Sequence, residues 1–244
     1  MSGRFVWREL STRDPEAATR FYGEVFGWKI TATPMGDSYT YYLVHNGEKQ
    51  IAGFAPKMPG DTSPEAWIGY VDVADVDATT ETAKTHGAKV LAGPMDIPNV
   101  GRFSLLVDPQ GGVITAFHSK SDGDPGGGTP AVGEFCWEQL NTADLAASTA
   151  FYASVFPWTG GEFQGMPVLK AGENAVASLM AAPPGVPTHW ISHVVVDELA
   201  GARARVTRNG GKVMMDEIAV PGIGSFAVVT DPHGAAICLF QGSN

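Results

Sequence analysis

The sequence predicts an α+β protein made of four β-α-β-β-β modules, and three observations carry that expectation. The first is a duplication. All six tryptophans fall into pairs: Trp7 and Trp28 return as Trp137 and Trp158, and Trp67 returns as Trp190. A repeat unit of about 120–130 residues is a domain, not a solenoid turn. The second is a helix signature, Ala18, Phe21-Tyr22 and Val25-Phe26, repeated as Phe151-Tyr152 and Val155-Phe156. The third is a closing hairpin, Asp108-Pro109-Gln110-Gly111, repeated as Asp231-Pro232-His233-Gly234.

Each element has a local cause. Phe5, Trp7 and Glu9 alternate with Val6, Arg8 and Leu10, the period of two that makes a strand and places the first three on one face. Asp14-Pro15-Glu16 then starts a helix, with an Asp N-cap, proline at the first helical position and an acid in the first turn. Phe21, Tyr22, Val25 and Phe26 share one face at helical spacing and read as core. Gly27 ends this helix and Pro157 ends its counterpart. The second module opens with the strand Trp67 to Val73, continues as a helix from Asp75 to His86 stopped at Gly87, and adds strands at Lys89–Leu91, Phe103–Val107 and Val113–Phe117. The Asp-Pro-x-Gly order is that of a type I turn, and Ile237 to Phe240 repeats the final strand. Pro-rich connectors at 56–64 and 183–187 divide each copy, and the Gly/Pro linker 121–130 divides the two. The expected domains are 1–120 (modules 1–58 and 64–120) and 131–244 (modules 131–183 and 187–242).

Composition narrows the function. A net charge of −10 and pI near 4.9 argue against nucleic acid and anionic membrane surfaces, both of which call for clustered Lys and Arg. No apolar run reaches the length of a spanning helix and Met1 to Trp7 shows no signal-peptide core. Two cysteines do not make a disulfide framework, so the chain reads as cytoplasmic with reduced thiols. Gly126-Gly127-Gly128 has neither a preceding strand nor a following Gly-Lys-Ser/Thr, and reads as linker instead of phosphate loop.

The four modules, the Asp-x-x-x-Ala-x-x-Phe-Tyr-x-x-Val-Phe-Gly-Trp helix and the Asp-Pro-x-Gly hairpin together resemble the vicinal oxygen chelate superfamily of glyoxalase I, bleomycin-resistance proteins and extradiol dioxygenases, in its two-domain, glyoxalase-like or hydroxylase-labelled actinobacterial form. The resemblance implies two glyoxalase-like domains, each an open curved eight-stranded sheet around a cavity. It also implies a divalent metal held by His, Gln or Glu from the first strand, the strand opening the second module and the last strand. Those positions here are Trp7, Ile68 and Thr115 in one copy and Trp137, Ile191 and Cys238 in the other. Neither Trp nor Ile ligates a metal, Thr is a poor ligand and one Cys is not a site. The expectation is therefore no metal and no cofactor, although Glu9, Glu48, His189 and His193 stand near those positions.

What remains is an aromatic pocket suited to a flat organic ligand. Its expected lining is Trp7, Tyr41, Ile68, Tyr70 and Thr115 in one copy, with Trp137, Gln139, Ile191, His193 and Cys238 in the other. Trp7 and Trp137 either line the pocket or fill it. Glu9, Tyr70 and His193 are candidate acid–base groups. Against that, Glu9 can be a solvated strand-end acid, His193 a hydrogen-bonded structural residue, His233 an exposed turn residue and Cys238 a small buried one. Two functions follow: a metal-independent binder of a small aromatic or planar molecule, or a glyoxalase-like lyase/isomerase or hydroxylase/dioxygenase of a small oxygenated substrate. Fusion of two domains makes a monomer plausible.

Overall fold

The computed structural model describes residues 2–36, 39–120 and 128–243. Most of the expected linker, at 121–127, lies outside the described residues. The chain runs β1 (Phe5–Thr12), α1 (Pro15–Phe26), β2 (Lys29–Pro34), β3 (Thr40–Asn46), β4 (Lys49–Pro56), β5 (Ala66–Asp72), α2 (Val76–Thr85), β6 (Lys89–Ile97), β7 (Gly101–Val107) and β8 (Val113–Ser119). The plan then repeats as β9 (Phe135–Thr142), α3 (Leu145–Val155), β10 (Thr159–Phe163), β11 (Met166–Ala171), β12 (Asn174–Ala181), β13 (His189–Val195), α4 (Leu199–Arg208), β14 (Lys212–Val220), β15 (Gly224–Thr230) and β16 (Ala236–Gly242). The expected α+β class and the four β-α-β-β-β modules are borne out.

The strands form two open eight-stranded mixed sheets, ordered β2-β3-β4-β1-β5-β8-β7-β6 and β10-β11-β12-β9-β13-β16-β15-β14. Sequential modules thus share a sheet. The expected strand at 89–91 is longer, because β6 runs on antiparallel to β7 as far as Ile97↔Gly101.

The caps act as the residues dictate. Asp14, Asp75 and Asp144 each accept from the backbone N–H three residues on, at 2.8, 3.0 and 3.0 Å, and Glu198 does the same for α4. Gly27 takes the left-handed conformation, φ 73°, that a side chain would oppose. Phe156 is extended and closes α3, as the residue before a proline must be.

By packing, the chain divides into two compact units: unit A is Met1–Trp7, Ile68–Gly128 and Trp137–Ile191, and unit B is Arg8–Trp67, Thr129–Cys136 and Ser192–Asn244. The core of unit A gathers Val71, Leu106, Ile114, Leu140, Leu169 and Leu179 around Tyr152 and Trp190. That of unit B gathers Leu10, Val44, Phe54, Val194, Ile237 and Leu239 around Tyr22 and Trp67.

Phe5 corrects the sequence reading. It does not join Glu9 on a pocket face; its ring packs 5.6 Å from both Trp158 and Trp190 in the core of unit A. Gly69 allows this, since a Cβ there would overlap the Phe5 ring.

Each core is closed by one polar chain. In unit A, Trp190 Nε1 donates to the Tyr152 hydroxyl at 2.8 Å, which donates to Asp108 Oδ2 at 2.7 Å. In unit B, Trp67 Nε1 donates to Tyr22 at 2.9 Å, and Tyr22 donates to Asp231 at 3.2 Å. The other oxygen of each aspartate organises its turn: Asp108 Oδ1 accepts from Gln110 and Gly112 N–H, Asp231 Oδ1 from His233 and Ala235 N–H. The Gly111 and Gly234 N–H groups close the expected type I turns on the Asp108 and Asp231 carbonyls, both at 3.1 Å. Trp158 and Trp28 donate to the backbone carbonyls of Gly3 and Gly133. Four of the six tryptophans are thereby structural.

Replacing Tyr152 by Phe leaves a buried indole N–H and a buried carboxylate oxygen without their partner, at a cost of about 1–3 kcal/mol. Tyr152→Phe and Tyr22→Phe are each expected to lower the unfolding free energy by that amount, seen as a lower urea midpoint at unchanged slope. An unmoved midpoint in both would show that the chains carry no stability.

Candidate functional site

The sequence-predicted residues fall into four clusters on sheet faces turned away from the cores. Directly paired strand residues share a face, so the registers define each cluster.

In unit A, Tyr70 pairs with Thr115, Thr115 with Leu105, and Leu105 with Ala92. The adjacent row is Asp72, Phe117, Phe103 and Met95. Val71 and Ala116, between the rows, point into the core. Tyr70 meets Phe117 edge-on at 5.9 Å. Thr115 is fully buried and its Oγ1 has no hydrogen-bond partner. Ile68, two residues before Tyr70, is half-buried, as is Trp7. Burial pushes the Asp72 carboxyl above the usual range, with the His118 charge opposing.

Unit A also holds the third module's cluster. Trp137 Nε1 donates to Ser178 Oγ at 2.9 Å, and Gln139 pairs in register with Ser178. Gln139 donates to Asn141 Oδ1 at 2.9 Å, and Asn141 Nδ2 lies 3.2 Å from His189 Nε2. Ile191 is buried.

In unit B the first module places Glu9 in register with Gly53. The Tyr41 ring lies over Gly53, where any Cβ would overlap it, and its hydroxyl donates to Glu9 Oε2 at 2.9 Å. Glu9 is thus a half-buried, hydrogen-bonded carboxylate, unlike the alternative of a solvated strand end. Tyr39 stands close enough to feel it: burial first, and then the Glu9 charge, push the Tyr39 phenol up to about 12.

The fourth module's cluster mirrors the second. His193 pairs with Cys238, Cys238 with Val228, and Val228 with Met215. The adjacent row is Val195, Phe240, Phe226 and Ile218. His193 is 4% exposed and its Nε2 has no hydrogen-bond partner. The alternative of a hydrogen-bonded structural imidazole fails at that atom. The ring lies 5.1 Å from Phe226, and burial pulls its pKa down to about 3. Cys238 is fully buried, and the Cys136 thiol donates to the His193 carbonyl at 3.5 Å. His233 sits exposed in its turn, 4.0 Å from the buried Glu65 carboxylate. Sequence reasoning missed Gly53, Ser178 and Phe226. A glycine inside a strand was the available signal for the first.

The donor set does not fit the divalent metal of the resembled fold. Trp137 offers an N–H that donates and cannot coordinate, Ile191 is apolar, and no group of three or more His, Cys, Asp or Glu among the described residues could hold a metal ion. Likewise, no helix among them is long and apolar enough to cross a membrane. A cavity of about 290 Å³ does lie in unit A, against the Asp108 turn and α3, but its polar groups at Asp108, Gln110 and Ser148 are already hydrogen-bonded.

A profile of the Glyoxalase/Bleomycin resistance protein/Dioxygenase superfamily matches residues 4–116. A Mycobacterium tuberculosis protein bearing the name glyoxylase, CFP32, is 32% identical over 96% of this chain and 93% of its own. The chain belongs to this superfamily. The anthracycline biosynthesis protein DnrV of Streptomyces peucetius is 27% identical over 98% of the chain and 93% of its own. Among solved structures, the Mn(II)-bound glyoxalase of Novosphingobium aromaticivorans superposes with TM-score 0.61 at 17% identity, covering 98% of this chain and 81% of that one. The homoprotocatechuate 2,3-dioxygenase of Arthrobacter globiformis does so with TM-score 0.65 at 14% identity, covering 98% and 80%. At such identities these structures establish the superfamily fold and leave the chemistry to the residues.

Two titrations check the clusters. Tyr39 ionises late, so its contribution to stability is complete below the ordinary tyrosine value of about 10 and is lost as pH rises to about 12. Ultraviolet titration of Tyr39→Phe is expected to lack that late step, and a step that persists would relocate it. His193 behaves in the opposite sense. The unfolded chain takes up its proton below about 6.5, whereas the folded site refuses it until about 3. Stability is therefore lost as pH falls through that window. His193→Phe is expected to flatten the slope of unfolding free energy on pH between about 6 and about 4; identical slopes would show a hydrated imidazole.

Proposed function

We propose that this superfamily member is a metal-independent binder of a small, planar or aromatic organic molecule. The expected lining is Trp7, Tyr41, Ile68, Tyr70, Thr115, Trp137, Gln139, Ile191, His193 and Cys238. One observation supports this reading above the others: on the sheet faces opposite both cores, a buried polar atom stands without a partner, Thr115 Oγ1 in one copy and His193 Nε2 in the other. A buried polar group left unsatisfied costs about 1–3 kcal/mol, and such groups in native proteins answer to a ligand, water or function. Among the described residues, a third such atom, Ser104 Oγ, faces the core side, in register with Ala116. Aromatic neighbours, Phe117 beside Tyr70 and Phe226 beside His193, favour a ring-bearing ligand. The name of DnrV, which ties that relative to anthracycline biosynthesis, is in keeping with such a ligand. Trp7 and Trp137 act as walls in this reading, and the fused copies suit a monomer in the cytoplasm.

Catalysis is the second reading, favoured by the Glu9–Tyr41 pair. A carboxylate hydrogen-bonded to a phenol can receive and return a proton at Glu9 Oε2. A glyoxalase-like lyase/isomerase or a hydroxylase/dioxygenase would be built on that pair, with Tyr70 and His193 as the other candidates.

Calorimetric titration with a panel of planar aromatics, an anthracycline included, separates the readings. The expected result is saturable binding, unchanged by EDTA, with the compound recovered intact. Turnover that disappears in Glu9→Gln would install the second reading; absence of binding across the panel would remove the first.

A further inference from the structure

We infer that the face of β13, β14, β15 and β16 is a site for an uncharged phenol, its hydroxyl hydrogen-bonded to His193 Nε2. The inference rests on the binding reading above and names the ligand class for one of its two copies.

Eight positions make this face, in two rows across four strands: His193, Cys238, Val228 and Met215, then Val195, Phe240, Phe226 and Ile218. Six are apolar, one is a thiol and one an imidazole, and none carries a carboxylate or a Lys or Arg. A charged ligand laid here would lose its hydration with no counter-charge, which disfavours it by several kcal/mol. An uncharged one loses little. The imidazole belongs to this environment, since burial keeps it neutral at any pH near 7. A neutral imidazole nitrogen is a donor or an acceptor according to tautomer. A hydroxyl complements either state, whereas a ketone or an amine N–H complements only one. The ring follows from the neighbours, with Phe226 5.1 Å from the imidazole and Phe240 next to it across the β15–β16 pair.

The corresponding face in unit A differs where charge matters. Asp72 holds the place of Val195, and Tyr70 and Thr115 hold those of His193 and Cys238. The two copies therefore present unequal faces, and the phenol selectivity belongs to the fourth module.

The test uses the intact chain with 2-naphthol, naphthalene and 2-naphthalenesulfonate, by calorimetry and by imidazole ¹⁵N NMR. The expected order is 2-naphthol over naphthalene by about tenfold, the size of one buried hydrogen bond, with the sulfonate weakest. Only 2-naphthol should shift the His193 Nε2 resonance. His193→Phe is expected to keep or raise the melting temperature of the unliganded protein, because it removes an unsatisfied buried atom, while lowering 2-naphthol affinity about tenfold. His193→Gln, which restores a polar group, is expected to recover part of that affinity and covers the case in which the phenylalanine fails to fold. If 2-naphthol binds but neither the resonance nor the affinity responds to His193, this inference falls and the binding reading stands. If no aromatic compound binds at all, both fall.

Discussion

The buried hydrogen-bond chain from tryptophan through tyrosine to aspartate is the constraint on which each unit depends. A tyrosine hydroxyl fully removed from water requires both a donor and an acceptor. In unit B those come from Trp67 at the start of β5 and from Asp231 in the last hairpin, 209 residues beyond Tyr22. Burial and the adjacent carboxylate hold both phenols well above their ordinary range, so neither ionises under ordinary conditions. The aspartate then fixes its own turn with its other oxygen. One side chain thereby joins helix, sheet and hairpin, and the second copy repeats the arrangement with Tyr152, Trp190 and Asp108.

Much of the fold was legible in the sequence because its signals are local. An Asp-Pro-Glu helix start, a Gly after the helix and an Asp-Pro-x-Gly turn each act within about four residues, and the duplication multiplied them. The roles of individual aromatics were less legible. Tyr22 looked like core from its spacing, and it is core, but its hydroxyl partner lies in another module where periodicity has no reach. Strict alternation puts Phe5 on the face of Glu9 because it describes a flat ribbon, whereas the ring leans over Gly69 into the core.

The candidate site was legible as a set of residues and not as an arrangement. Nothing in the order of residues says that Tyr41 crosses Gly53 to reach Glu9, or that Ser178 takes the corresponding place beneath Trp137. The unpartnered atoms of Thr115 and His193 are a property of their surroundings alone. The duplicated copies kept their polar closures and diverged on the opposite faces, from Tyr70 and Thr115 to His193 and Cys238. Core contacts and the candidate site thus occupy alternate residues of the same strands.

The crossed membership of the two units bears on how the protein is made. Unit A is complete in sequence by Ile191, so its tyrosine, tryptophan and aspartate are all available while the chain is still being synthesised. Unit B draws on segments from Arg8 onward through the second copy, and Tyr22 cannot meet Asp231 until 209 further residues have been added. Helix α1 therefore finds its apolar neighbours Val44, Ala52, Phe54 and Trp67 soon after it is made, whereas its tyrosine hydroxyl waits for an acceptor that is synthesised much later.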